Sequence, residues 1–108
     1  MRTIIKEGRR RRYIGFAVKS SNENIFTKTQ VIDEIRKECT ILFEKDCKDL
    51  GIYVIRYNDA KGIVRCKHTE KENTIKLLKS IKSINQKKVA VETLGTSGTI
   101  KSLVKKHM

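Results

Sequence analysis

The sequence of 108 residues contains no proline and no tryptophan, and aromatic residues make up only 6% of it. Long apolar runs are also missing: the longest, from Tyr13 to Val18, has six residues, whereas a membrane-spanning helix needs roughly 20. The first six residues hold too short an apolar stretch for a secretory signal. The three cysteines are an odd number without close pairing and indicate no disulfide framework. We therefore expect a cytoplasmic protein that does not contact a membrane.

Acidic residues are scarce, because 12 Asp and Glu stand against 25 Lys and Arg and leave a net charge of +13. Residues 1–12 carry +5, residues 51–94 carry +6 and residues 95–108 carry +3, whereas residues 27–50 carry −1. This distribution favours a nucleic acid as the partner, since each Lys or Arg beside a phosphate releases condensed counterions. A basic surface that serves only solubility is the alternative.

The apolar pattern predicts one α+β domain. Runs of β-branched and aromatic residues predict four strands, at residues 13–19, 52–57, 63–67 and 89–94. Apolar residues spaced three or four apart predict helices, at residues 27–50, 69–84 and 100–106. Capping boxes, in which a threonine is followed three positions later by Gln or Glu, open the first two helices at Thr27 and Thr69. Gly51 is the expected stop of the first helix.

The order β-α-β-β-α-β is that of a ferredoxin-like, or split βαβ, sandwich. We expect a four-stranded antiparallel sheet with both helices on one face, the first and third strands inside, and a short C-terminal helix in addition. Residues 1–12 would form a basic N-terminal arm, residues 13–94 the core, and residues 95–108 a Gly-rich turn followed by the basic C-terminal helix.

Alternation along the first strand separates its side chains into two groups. Phe16 is expected in the core, with Tyr13 and Gly15 on the opposite face. A glycine weakens a central strand unless another element approaches closely, so we expect a helix or a partner on that face. RNA-recognition motifs present aromatic residues on both central strands, but the third strand, residues 63–67, has none. Sequence-specific reading of single-stranded RNA is therefore disfavoured.

Two basic segments are the candidate nucleic-acid contacts. Four consecutive arginines precede Tyr13. Each guanidinium group can bind two phosphate oxygens through a pair of parallel hydrogen bonds. The segment 95–101 follows a strand and opens a helix, where free N–H groups suit a phosphate, although an ordinary strand-to-helix turn explains it equally well. The candidate RNA-binding residues are Arg9, Arg10, Arg11, Arg12, Tyr13, Ser97, Thr99, Lys101, Lys105 and Lys106.

The sequence contains few residues that could act in catalysis. His68 and His107 have no cysteine or carboxylate partner at a recognisable spacing, and Cys39 and Cys47 are eight positions apart on one predicted helix. A zinc site needs four ligands in tetrahedral arrangement, which this inventory does not offer. We therefore expect no catalytic residue, no bound metal and no cofactor in the chain itself. A small endonuclease that uses one of the two histidines is the alternative.

Three segments resemble archaeal ribonuclease P protein component 2, the archaeal relative of a eukaryotic protein shared by ribonucleases P and MRP. They are residues 11–16, residues 62–66 and residues 93–101, in the same order as in that family. The resemblance runs from about residue 9 to residue 103. Family members commonly carry a Pro-rich lead before the first strand, and residues 1–8 contain no proline.

The resemblance implies a non-catalytic subunit of the ribonucleoprotein that removes 5′ leaders from precursor tRNA. The RNA would hold Mg²⁺ and perform the hydrolysis. The implied partners are ribonuclease P RNA, precursor tRNA within the complex, ribonuclease P protein component 3 and other ribonuclease P proteins. The near-neutral segment 27–50 would then face a protein or solvent, and self-association through the free sheet face stays open. A ferredoxin-like module that only docks onto a protein is the rival hypothesis.

Overall fold

The computed structural model describes residues 11–20, 26–58, 60–84 and 86–108. Two of the predicted contact residues, Arg9 and Arg10, lie outside these ranges. The strands are β1 Arg11–Ser20, β2 Tyr53–Asn58, β3 Lys61–Lys67, β4 Ser83–Ile84 and β5 Lys87–Ser97. The helices are α1 Lys28–Phe43, α2 Cys47–Leu50, α3 Lys71–Ser80, which follows a 3₁₀ turn at His68–Glu70, and α4 Ile100–His107. Within the described ranges, no helix is long and apolar enough to span a bilayer.

The strands form one antiparallel sheet in the order β2-β3-β1-β5-β4. The prediction of an α+β protein with an antiparallel sheet is confirmed, but its count of four strands is wrong, because β4 adds a fifth at one edge. As predicted, the first and third strands lie inside the sheet. The extra strand arises where a helix was predicted to continue to residue 84: α3 ends at Ser80, and Ile81 takes extended backbone angles.

The predicted helix at residues 27–50 is two helices. Its start is confirmed, since the Thr27 side chain accepts from the Gln30 N–H and the Gln30 side chain accepts from the Thr27 N–H. The chain turns at Glu44, which has a φ of 55° and donates its N–H to the Thr40 carbonyl. Gly51 then closes α2 with a φ of 69°, the left-handed conformation that glycine adopts without strain. The second predicted capping box is wrong, because Glu70 precedes α3 and no side chain caps that helix.

Helices α1 and α3 cover one face of the sheet. The β1 side chains on that face, Ile14, Phe16 and Val18, belong to the main core cluster. Phe16 is 1% exposed and its ring stacks on Tyr57 with 6.2 Å between centroids. The expected place of Phe16 in the core is thus confirmed.

Helix α4 lies on the opposite face of the sheet, above two paired glycines. Gly15 of β1 and Gly95 of β5 are register partners. A Cβ on Gly15 would lie 2.9 Å from the Met108 sulfur and 3.7 Å from Leu103 Cδ1, and one on Gly95 would meet the His107 ring. The glycines therefore form a floor without side chains on which α4 rests, as the glycine in the first strand suggested.

Two cysteine sulfurs meet inside the core. Cys39 Sγ and Cys47 Sγ lie 2.6 Å apart, and Cys47 is also within hydrogen-bonding distance of the Ile35 carbonyl at 3.7 Å. The hydrogen bond with Cys47, together with burial, raises the pKa of Cys39. This contact joins α2 to the last turns of α1, which explains why the apolar stripe continues past the end of α1.

Burial of Cys66 gives a prediction about stability at high pH. Burial raises the pKa of this thiol above its ordinary value of 9.0. The unfolded chain therefore releases the Cys66 proton at a lower pH than the folded chain does, and this contribution to stability is lost as the pH rises above about 9. We expect Cys66→Ala to be less stable than the parent protein at neutral pH but to lose less stability on further alkalinisation. Urea unfolding of both proteins across this range tests it, and parallel pH profiles would contradict it.

Candidate nucleic-acid interface

The start of β1 and the end of β5 bring several predicted contact residues together. Tyr13 of β1 pairs with Ser97 of β5. The Arg12 Nη1 atom lies 3.2 Å from the position that a Cβ on Gly98 would occupy. Arg11 and Arg12 are both exposed and, rather than belonging to an arm, are the first residues of β1. We call this region, Arg11 to Tyr13 with Ser97 to Thr99, the β1–β5 corner.

The segment predicted as a Gly-rich turn is mostly strand. β5 continues through Ser97, because its pairing with β1 extends to Tyr13 and outweighs the turn preference of glycine and serine. The Thr99 hydroxyl oxygen accepts from the Ser102 N–H at 3.2 Å as the cap of α4, and Ser97 Oγ accepts from the Thr99 N–H at 3.4 Å. Both oxygens thus already accept a hydrogen bond within the chain, and each hydroxyl proton remains available for donation to a phosphate.

The three predicted lysines of α4 are exposed. Lys101 and Lys105 are four residues apart and so lie on the same side of the helix, separated by about 6 Å along its axis. Lys106 follows directly, and α4 contains no acidic residue. Because α4 begins at the β1–β5 corner, its lysines extend the positive surface of that corner across the sheet.

A further group of basic and aromatic residues lies on three neighbouring strands. Arg65 of β3 is the register partner of both Tyr13 on β1 and Tyr53 on β2. Its guanidinium carbon lies 5.1 Å from the centroid of the Tyr53 ring. We call these three residues the tyrosine–arginine row. The row is not predictable from the sequence, because alternation along β3 gives the face of Arg65 but not the register of its neighbours.

Charges of opposite sign lie on different parts of the molecule. No acidic residue occurs in β1, β2 or β3, whereas α1 and α2 contain Asp33, Glu34, Glu38 and Asp49. In the described part of the chain there are two salt bridges, Lys19–Glu92 at 3.2 Å and Lys71–Glu72 at 3.8 Å. Neither involves a residue of the β1–β5 corner or of the tyrosine–arginine row. These cations are therefore available to an external anion.

The two histidines considered for catalysis lie on different elements. His68 begins the 3₁₀ turn after β3, and the ring of His107, at the end of α4, lies over Gly95. Across the ranges that the structure describes, no group of three or more His, Cys, Asp or Glu side chains is arranged to hold a metal ion. Chemically, this surface offers phosphate-binding cations and exposed tyrosine.

The chain is thus a small α+β protein with an antiparallel sheet, and the basic residues on its sheet side suit a polyanionic partner. Comparison with known proteins identifies its family. The model of the Rpp14/Pop5 family matches residues 12–108. The chain therefore belongs to the Rpp14/Pop5 family, which confirms the resemblance seen in the sequence.

Proteins called ribonuclease P protein component 2 are among the relatives. The chain is 34% identical over 100 residues to that of Pyrococcus horikoshii, covering 90% of this chain and 82% of the relative. It is 28% identical over 100 residues to that of Methanosarcina mazei, covering 92% and 84%. A chain in the cryo-EM structure of yeast ribonuclease MRP superposes with a TM-score of 0.72 over 84% of this chain and 76% of that one. At 11% sequence identity, this last similarity concerns the fold alone.

Proposed function

We propose that this chain is a protein subunit of ribonuclease P, the ribonucleoprotein that removes the 5′ leader from precursor tRNA. The observation that carries the proposal is the family match over residues 12–108, together with relatives that are themselves named ribonuclease P protein component 2. The four long strands with α1 and α3 would form a ferredoxin-like sandwich to which β4 is an addition, and this is supported by the order β2-β3-β1-β5. A cytoplasmic location stays a prediction.

The role proposed for the chain is to bind and support the catalytic RNA, not to break the bond. Lys and Arg at the β1–β5 corner and on α4 would neutralise phosphates that repel one another in the folded RNA. The RNA would then need less Mg²⁺ to hold its active fold, and the metal ions would be bound by the RNA. Ser97 and Thr99 would donate their hydroxyl protons to phosphate oxygens at the same place. Arg9, Arg10 and the α4 lysines would extend the contact.

The helix side of the molecule is the proposed meeting place with another protein. The last turns of α1 expose Ile41 by 62% and Leu42 by 37%, and α1 belongs to the segment whose net charge is −1. Exposed aliphatic residues of this kind suit a protein surface better than RNA. We propose ribonuclease P protein component 3 as the partner that covers Ile41 and Leu42, with precursor tRNA and the other protein subunits joining in the complex.

Salt dependence tests the RNA contact at the β1–β5 corner. Replacing both Arg11 and Arg12 with alanine is expected to weaken binding to ribonuclease P RNA. The slope of log affinity against log salt should become flatter by about one to two, since each lost phosphate contact removes roughly 0.7–0.9 from it. Filter binding or fluorescence anisotropy across a salt series measures the slope. The matched control replaces two exposed lysines of the helix side, Lys37 and Lys76, and should leave it nearly unchanged.

Reconstitution tests the function itself. Added to ribonuclease P RNA with its companion protein, the chain is expected to lower the Mg²⁺ concentration needed for cleavage of precursor tRNA. A chain that cleaves this substrate without any RNA subunit would instead establish an endonuclease based on His68 or His107. A chain that binds the companion protein but no RNA would establish the rival, a protein-interaction module.

A further inference from the structure

Given the function proposed above, the tyrosine–arginine row indicates which kind of RNA segment the chain binds. We propose that Arg65 and Tyr53 bind an unpaired nucleotide, with its phosphate on the Arg65 guanidinium and its base against the Tyr53 ring. The site lies on the sheet side, next to the β1–β5 corner, and Tyr13 belongs to both.

Among the residues that the structure describes, the Arg65 side chain has no anionic partner. Its Nε atom is buried and has no hydrogen-bond partner, and Arg65 takes part in neither of the salt bridges of the described chain. The Nε atom is enclosed by the protein and out of reach of an external ligand. A phosphate would instead accept two parallel N–H···O bonds from the terminal nitrogens of the guanidinium, Nη1 and Nη2.

The neighbouring tyrosine explains why a nucleotide, and not a simple anion, fits the site. Tyr53 is 43% exposed. The guanidinium carbon of Arg65 lies 5.1 Å from the centroid of the Tyr53 ring. Tyr53 is in β2, the edge strand of the sheet formed by the described residues, so none of the described strands lies beyond it. Bases of any sequence stack on exposed aromatic rings. An arginine that fixes the phosphate beside such a ring brings the attached base within reach of it.

The same geometry favours an unpaired nucleotide over a duplex. Bases in an A-form helix are stacked within the duplex and not free to lie on a protein ring, whereas loops, bulges and ends can splay a base outward. A duplex would bind the exposed lysines of α4 through its phosphates without using Tyr53. From the row, a single strand can continue over Tyr13 toward Arg11 and Arg12, where more phosphates can be bound.

The test measures binding of the full chain to a short oligouridylate. Arg65→Gln and Lys76→Gln each remove one positive charge, but only the first lies in the row. We expect Arg65→Gln to bind about tenfold more weakly than the parent chain, and Lys76→Gln to remain within about twofold. Arg65→Lys keeps the charge but loses the paired donors, so its affinity should also fall clearly below that of the Lys76 control.

Tyrosine fluorescence supplies a second readout, because the chain has three tyrosines and no tryptophan. Stacking of uracil should quench part of the tyrosine emission in the parent chain. Tyr53→Phe should keep most of the affinity and lose the share of the quenching that comes from Tyr53, whereas Tyr53→Ala should lose that share and much of the affinity. Circular dichroism and urea unfolding of each variant separate a loss of contact from a loss of fold.

Three results would overturn the site. One is equal affinity of Arg65→Gln and Lys76→Gln for the oligouridylate. The second is quenching in Tyr53→Phe that is as large as in the parent chain. The third is an RNA duplex of equal charge that depends on Arg65 to the same degree. A result can contradict the nucleotide site without contradicting the proposed function. If the parent chain and Arg65→Gln both bind ribonuclease P RNA while their oligouridylate affinities are equal, the subunit role stands and this site is wrong.

Discussion

Replacing Leu103 with alanine is expected to detach α4 from the sheet. Leu103 is 0% exposed, and its Cδ1 atom lies 3.7 Å from the Cβ position of Gly15. A Leu→Ala change at a fully buried position costs about 2–5 kcal/mol, because apolar contact is lost and a cavity remains. Small domains have only about 5–15 kcal/mol of stability in total. We therefore expect the variant to lose a large part of its free energy of unfolding, together with the contribution of α4 to the proposed RNA contact.

Val104 supplies the matched control for this prediction. It is the next residue of the same helix and is 39% exposed, so Val104→Ala removes methyl groups that are already partly in water and should cost less than about 1 kcal/mol. Urea unfolding gives both free energies, and hydrogen exchange of the α4 amides shows whether the helix has come off the sheet. Similar losses in the two variants would mean that α4 does not rest on the sheet through Leu103.

Replacing Gly62 with alanine is the second change with a large expected effect. Gly62 of β3 pairs with Phe16 on one side and with Tyr57 on the other. An added Cβ would lie 2.6 Å from Phe16 Cζ and 2.8 Å from the Arg56 carbonyl oxygen. The Phe16 ring is enclosed in the core and the carbonyl belongs to the backbone, so neither can move freely. Overpacking of this kind costs about 1–3 kcal/mol and sometimes more.

Gly98→Ala tests whether the cost at Gly62 is specific. Its Cβ would come no closer than 3.2 Å to Arg12 Nη1, the end of a long exposed side chain that can shift. We expect an effect within about 0.5 kcal/mol, the range usual for surface substitutions. Thermal unfolding of the two variants compares them directly. Equal midpoints would contradict the tight contact between Gly62, Phe16 and β2.

The sequence was informative wherever a residue pattern has one structural meaning. Alternation placed Phe16 in the core and Gly15 on the face that α4 covers, and the Thr27–Gln30 box marked the start of α1. The pattern was ambiguous where one spacing serves two structures. Ile81 and Ile84 fit a helical stripe, yet both are buried in an extended segment that ends in β4.

Only the part of the candidate site that consists of residues adjacent in the sequence was predictable. A run of arginines before a strand is visible in the sequence, and the structure places Arg12 near Gly98 and the following Tyr13 beside Ser97. The tyrosine–arginine row joins residues 13, 53 and 65, which belong to three strands. Their alignment depends on strand register, including a shift between Val54 and Arg56 in β2, and such a shift has no signature in the order of residues.

The lack of carboxylates in β1, β2 and β3 affects how the protein folds as well as what it binds. Lys19 is paired with Glu92 at 3.2 Å. Formation of the sheet gathers six further cations of these strands, none of which has a salt bridge among the described residues: Arg11, Arg12, Arg56, Lys61, Arg65 and Lys67. Folding therefore proceeds against electrostatic repulsion that a bound polyanion would relieve. A partner that binds only the native state shifts the equilibrium toward that state. With RNA as the partner proposed above, chains without bound RNA would thus be the form more exposed to proteolysis.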